Sequence, residues 1–285
     1  MERTVTVRPG IGATARIIQG RELRLSRVVV DQPTLIVVTR GRKRLAGVAG
    51  TGGGDWVLES GGAVVVAGGQ VFDVINTPGP DGDYRASWLV FDAGVLARYG
   101  AERPEVPPVA AALALPRLAP DFLDAYDRAV AAVTAGEALP APVAEQRLRE
   151  VLVWLSLYGG RPAGAPGGSV AARVRDLFAA DPARGWIAAD AARHLAMSEA
   201  TMRRRLAEEG QSAGKILIDV RMHRALMLLQ STDAPVTQIA FDVGYDSPSR
   251  FAVRFRERFG HPPTAIRAGV LETADWETAD WETAA

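Results

Sequence analysis

The stretch YDSPSRFAVRFRERFGHPP, residues 245–263, admits few backbone shapes. Phe251, Phe255 and Phe259 recur at i, i+4 and i+8, so on a helix they form one apolar stripe. Ser247 suits an N-cap and Pro248 the first helical turn. Gly260 suits the C-cap, and Pro262 and Pro263 enforce the stop. The spacing therefore predicts a helix over 247–259. Its phenylalanines face a core, Ser249, Arg250, Val253 and Arg256 face away from it, and Arg254 and Arg258 flank the stripe. An ordinary amphipathic surface helix has this pattern. So does a helix that enters a DNA major groove and offers arginines to phosphate or to the acceptor edge of guanine.

The preceding element weighs toward the groove reading. In APVTQIAFDVGYDS, Val236, Ile239 and Ala240 form a short apolar face before a turn at Gly244. Helix, glycine turn and basic helix together make a helix-turn-helix. A second unit lies upstream in WIAADAARHLAMSEATMRRRLAEEG. There a helix with Ala192 and Leu195 meets a turn at Met197-Ser198, and a new helix begins at Ser198. Met202 and Leu206 are its inward pair. Ala200, Thr201 and Arg204 face outward, Arg203 and Arg205 sit at the edges, and Glu208 and Glu209 lie near its end. The segment between the units predicts one long helix, about 27 Å for 18 residues. With loops and helix radii added, the two readers lie about 34 Å apart, one turn of B-DNA.

These residues carry a resemblance. The run from Leu195 to Arg267, with an IA..VGY.S.S.F...F...FG..P...R signature over Ile239–Arg267, resembles the AraC/XylS family of bacterial transcription regulators. The resemblance implies two helix-turn-helix units joined by a rigid helix, with double-stranded DNA and RNA polymerase as partners. By matching positions it implies base-facing roles for Ala200, Arg203, Arg204, Ser249 and Arg250. Val253 stands where many relatives carry arginine, and Arg254 follows it.

Residues 1–100 have a different grammar. Short β-branched runs at 15–19, 23–30, 34–39, 56–58, 63–67, 71–75 and 84–91 are separated by Gly, Asp and Pro, which predicts a sandwich or barrel of jelly-roll type. RGRKRL at 40–45 can be read as a nucleic-acid patch, but with Gly41 where a turn would form it is expected as a solvated hairpin turn. GGAVVVAGGQVFDVIN is similar to the second cupin motif through Gly61, Gly69 and Asn76, with Ala67 in place of its proline and Phe72 in place of its metal-binding histidine. Trp56, Phe72 and Trp88 are candidates to line a small-molecule effector cavity, and core packing is their other reading. In the helix expected over 143–158, Leu148, Leu152 and Leu155 suit either a homodimer seam or a core.

The expected fold is thus α+β: a cupin-like β domain (1–100), a connector and helical dimerisation segment (101–160), a flexible linker (161–168), an all-α DNA-binding domain (169–268) and an acidic tail (269–285). A net charge of zero hides this division. Lys and Arg outnumber Asp and Glu by 15 to 11 over 169–270, whereas the last fifteen residues carry five acids and no base. The absence of cysteine excludes disulfides, thiolate zinc and cysteine nucleophiles, and fits a reducing cytoplasm. All three histidines, 194, 223 and 261, lie outside the β domain. A cupin-type enzyme, the alternative reading, lacks its imidazoles there. No catalytic residue, metal or cofactor is expected, and neither a signal peptide nor a membrane span.

Overall fold

The computed structural model describes residues 5–48, 54–162 and 169–268. They divide into two units. The N-terminal unit holds strands β1 (Thr6–Arg8), β2 (Gly12–Gln19), β3 (Leu23–Val30), β4 (Thr34–Arg40), β5 (Arg42–Gly47), β6 (Asp55–Leu58), β7 (Ala63–Val66), β8 (Gln70–Thr77) and β9 (Tyr84–Phe91). These are followed by α1 (Ala93–Glu102), β10 (Ala112–Leu115), α2 (Pro120–Thr134) and α3 (Ala141–Leu157). The C-terminal unit is helical: α4 (Val170–Ala180), α5 (Ala188–His194), α6 (Glu199–Glu208), α7 (Ala213–Ser231), α8 (Val236–Asp242), α9 (Pro248–Phe259) and α10 (Pro263–Ala268). No helix among the described residues is long and apolar enough to cross a membrane.

The strands form two antiparallel sheets, ordered β1-β2-β9-β4-β7-β10 and β3-β8-β5-β6. β7 explains the layering. Ala-Val-Val-Val has no polar side, and all four residues are buried. A strand of this composition needs cover on both faces. On one face Ala63 and Val65 join Leu35, Val37, Leu89 and Phe91 in a core closed by α1, α2 and α3. The other face of that sheet meets the four-stranded sheet, as a hydrogen bond from Asn76 of β8 to Gln19 of β2 shows. The result is a cupin-like sandwich with helices packed on its larger sheet.

Three sequence expectations change here. RGRKRL is not a solvated turn. Only Gly41, at φ 73°, turns the chain, and β5 follows with Lys43 and Leu45 pointing inward. The Pro-rich connector contains β10, which pairs along β7 from Ala112↔Val66 to Leu115↔Ala63. The segment 101–160 is therefore built into the β unit. Leu148, Leu152 and Leu155 are each 0 % exposed in the shared core with α2 and the large sheet. A side chain with no surface cannot open a subunit seam, so these leucines are core residues. The outer positions of α3, Val143, Val153 and Leu157, are the exposed apolar ones. Most of the linker (163–168) and the acidic tail (269–285) lie outside the described residues.

One end of the space between the sheets is polar. Lys43 is 5 % exposed. Its ammonium donates to Asn76 Oδ1 at 3.0 Å and lies 5.9 Å from the Tyr84 ring centroid. Asn76 in turn donates to Gln19 Oε1 at 2.9 Å. Among the described residues, Gln19 Nε2 and the Tyr84 hydroxyl are buried without a hydrogen-bond partner. Burial, with no carboxylate opposing it, pushes the Lys43 ammonium down to about 8.

A lysine whose folded pKa is depressed binds fewer protons folded than unfolded between that value and its ordinary one. Stability therefore rises with pH across that window. Below pH 8 the buried charge costs about 3 kcal/mol. Chemical denaturation between pH 7 and pH 10 is expected to show this rise, and Lys43→Met is expected to flatten it. An identical pH slope in the variant would mean that the ammonium is solvated.

Candidate nucleic-acid interface

Each helix-turn-helix is set by caps and an apolar stripe. Ser198 N-caps α6, its Oγ accepting from the Thr201 N–H at 3.1 Å. Met202 and Leu206 are buried into a core with Val174 and Phe178 of α4, Ala191 and Ala192 of α5, and Ile216 and Val220 of α7. Ser247 N-caps α9, accepting from the Arg250 N–H at 3.4 Å, and Pro248 occupies its first turn. Gly260 closes α9 at φ 79°, a conformation that L side chains resist. Phe251, Phe255 and Phe259 are at most 1 % exposed and stack in series, with centroids 5.6 and 4.8 Å apart.

Burying those stripes sorts the remaining side chains. On α6, Ala200, Arg203 and Arg204 are exposed and Thr201 is half-buried. On α9, Ser249, Arg250, Val253, Arg254 and Arg256 are exposed. The residues expected at the interface are thus brought to the outer faces of two helices. Beside α9 lies a groove of about 700 Å³, lined in part by Ile218, Arg221, Tyr245, Ser249, Arg250 and Val253. A small-residue face flanked by cations admits a base edge without a steric barrier and offers bidentate donors to it.

Several outer arginines already hold an acid one turn away. Arg203 pairs with Glu199, Arg204 with Glu208 at 2.9 Å, and Arg254 with Glu257 at 3.2 Å. All three pairs are exposed, where such contacts contribute about 0.2–1 kcal/mol. They are readily exchanged for phosphate.

Other charges belong to the scaffold. Arg258 gives Nε to Asp219 Oδ1 at 3.0 Å, with both side chains largely buried, and this pins α9 to α7. The His223 ring of α7 meets Phe259 edge-on at 5.4 Å. Burial first, then the nearby Arg258, pushes that imidazole down to about 4, so it stays neutral at pH 7. Glu209 stands at the end of α6, as its C-cap residue, and its side chain also caps α4. It accepts from the Val170 and Ala171 N–H groups at 2.9 and 2.8 Å and from Ser169 Oγ at 3.0 Å. Despite its partial desolvation, those bonds hold the carboxyl below its ordinary value. Nothing in the local sequence announces a cap delivered from about forty residues away.

If the stripe is what orients α9, then Phe255→Ala is expected to cost about 3–5 kcal/mol of C-terminal stability. Differential scanning calorimetry of the full chain should show the helical unit melting earlier while the β unit keeps its transition. A shared loss in both transitions would argue against independent cores.

With this geometry in place, comparison with known proteins identifies the C-terminal unit. Residues 191–269 match a family described as "Helix-turn-helix domain". The transcriptional regulator SirC of Salmonella typhimurium (strain SL1344) is 36 % identical over 94 residues, covering 33 % of this chain and 32 % of SirC. The HTH-type transcriptional regulator YdeO of Escherichia coli (strain K12) is 34 % identical over 98 residues, covering 34 % of this chain and 38 % of YdeO. This chain therefore spans about a third of the length of the curated relatives it matches. The whole architecture is matched by ToxT from Vibrio cholerae, with a TM-score of 0.65 at 10 % identity, covering 92 % of this chain and 100 % of ToxT. That likeness is one of fold. Residues 191–269 thus belong with the helix-turn-helix domains, carried behind a β-rich unit in a ToxT-like fold.

Proposed function

We propose that this chain is a sequence-specific, double-stranded-DNA-binding transcription regulator whose β unit responds to an effector. The observation that carries the reading is the paired arrangement of α6 and α9, each capped, each burying an apolar stripe, each leaving a small and cationic face exposed. Phosphate contacts supply most of the affinity in such an interface, and the outward faces supply the specificity. The 19 residues of α7, about 28 Å long, set the separation of the readers. Relatives named as regulators, SirC and YdeO, resemble this same segment. Contact with RNA polymerase, a cytoplasmic location and a homodimer belong to the proposal. The dimer would use the exposed Val143, Val153 and Leu157 of α3 rather than the buried leucines.

Arg204→Ala and Arg250→Ala are each expected to lose about 1–3 kcal/mol on a selected cognate duplex and little on random duplex. Gel shifts with duplexes enriched from a random library by the parent protein provide the measurement. Equal cognate binding by parent and variants would remove these arginines from the interface.

The effector reading rests on Lys43. ToxT structures hold an unsaturated fatty acid in one case and a naphthalenyl butenoic acid in another, both carboxylic acids. In this chain a buried ammonium lacking a carboxylate partner, with unpartnered Gln19 and Tyr84 groups near it, would suit an anionic head. Phe72 and Trp88, at 1 % and 9 % exposure, lie in the β-unit interior, and Trp56 meets Phe72 edge-on at 5.8 Å. These three aromatics are the proposed apolar contacts, reached when the packed end of the sandwich opens. Titration with a monounsaturated fatty acid, followed by tryptophan fluorescence, is expected to saturate. Lys43→Met should weaken it about tenfold or more. Unchanged affinity would move the anionic head elsewhere.

A further inference from the structure

Two reading units on one helical rod are useful only if their relative orientation is held. A rod alone leaves each unit free to rock on its own packing patch. The C-terminal unit contains a direct joint between them, centred on Arg221 of α7. Its Nε donates to the Pro182 carbonyl at 2.9 Å and its Nη2 to the Arg184 carbonyl at 3.0 Å. Both carbonyls lie in the loop between α4 and α5, in the first helix-turn-helix unit. The same guanidinium lies 5.8 Å from the Tyr245 ring centroid, in the turn of the second unit.

Both ends of this joint are themselves tied down. On the first side, Trp186 Nε1 donates to the Asp181 carbonyl at 2.8 Å, and its ring meets Phe178 of α4 and His194 of α5, each at 5.4 Å. Arg184 stacks on that ring at 4.2 Å. On the second side, the Tyr245 ring meets Phe251 of α9 edge-on at 5.7 Å. A continuous path of packed groups thus runs from α5 through Arg221 to α9.

Gly244 shows how close the two units come. A Cβ on it would lie 2.7 Å from Arg221 Nη2 and 2.9 Å from the Ala183 carbonyl oxygen. Its φ of +85° accounts for glycine in a turn. The collision is a separate requirement, and it comes from Arg221 of α7 and from the loop before α5.

We propose that Arg221 is a positioning residue that locks the two helix-turn-helix units in one relative orientation, so that α6 and α9 bind a duplex as a single two-site reader. The proposal rests on the DNA-binding reading of α6 and α9. Lysine does not substitute in this role. Its compact ammonium does not present the planar fork that bonds two carbonyls from the edge while lying over an aromatic ring. When two sites are rigidly linked, the second contact is intramolecular, and its gain is lost if the geometry slackens.

The chain has no cysteine, so Ala207→Cys on α6 and Thr237→Cys on α8 accept spin labels cleanly. Double electron–electron resonance on the labelled protein is expected to give one narrow distance distribution. Arg221→Lys and, separately, Tyr245→Leu should broaden it. Alongside this, the unlabelled variants are measured on the full duplex selected by the parent and on each half of it. Arg221→Lys should lose about tenfold or more beyond whatever it loses on either half when it is measured on the full duplex. An unchanged distance distribution, or equal losses on halves and full site, would overturn the joint. If Arg221→Lys melts early, Tyr245→Leu, which leaves both carbonyl bonds in place, carries the test. Failure of the parent to select any duplex would count against the DNA reading, while the distance measurement still decides the joint.

Discussion

The C-terminal unit depends on the burial of α7. Ile216, Val220, Met222, Ala225, Leu226 and Leu229 are all at most 4 % exposed, and they point to more than one side of the helix. A helix that is apolar around much of its circumference cannot be a free connector. Ile216 and Val220 complete the core of the first helix-turn-helix. Further along, Asp219 and His223 receive Arg258 and Phe259 of the second. Neither short pair of helices has enough apolar surface to fold alone, since α5 and α8 are only seven residues each. The helix that spaces the two helix-turn-helix units is therefore also the core of both. Spacing and stability become one property.

What was legible in the sequence follows from range. The caps Ser198, Ser247 and Gly260 and the stripes Met202/Leu206 and Phe251/Phe255/Phe259 are local patterns, and the structure forms them where the spacing puts them. The outward faces follow because burying one side of a helix dictates the other. The misread elements lack a local signature. β5 is dense in cations, yet its alternation sends Lys43 and Leu45 inward once it pairs with β8. β10 is a short Ala-Leu run whose strand character comes from its partner β7, some fifty residues earlier. The three leucines of α3 fit a seam or a core equally well, because the helical period does not say whose surface covers it. Glu209 and Arg221 act on backbone groups about forty residues away, and no spacing rule reports such contacts.

The β unit keeps a polar end in its interior that an apolar replacement of equal volume would make cheaper. Lys43, Asn76 and Gln19 form a chain of hydrogen bonds that leaves two polar groups without partners. Partly satisfied networks of this kind are costly in a low-dielectric interior. Elsewhere in the same unit buried hydroxyls are matched, as Ser87 with Tyr126 at 2.7 Å and Tyr99 with Ser156 at 2.7 Å. Asn76 is the position where the sequence keeps the last residue of the cupin-like motif, while Phe72 occupies its metal-binding place with an apolar ring.

Charge on the two outer helices also bears on discrimination. If arginines alone determined binding, any polyanion would satisfy them, because the phosphate term is independent of sequence. In α6 the acids Glu199 and Glu208 already engage Arg203 and Arg204. A phosphate that takes either arginine leaves a carboxylate facing the DNA backbone, which offsets part of the Coulomb gain. Guanine recognition adds two directed hydrogen bonds that a phosphate approach along the helix edge does not reproduce. Under the proposed reading, the acids lower the sequence-independent Coulomb contribution of α6. α9 carries fewer acids against its arginines, with Glu257 engaging Arg254 while Arg250 and Arg256 stand exposed. Under the proposed reading, α9 contributes the larger share of the salt-dependent affinity and α6 the larger share of the sequence preference. A joint that holds the two together lets the strongly attracted helix deliver the discriminating one to its groove.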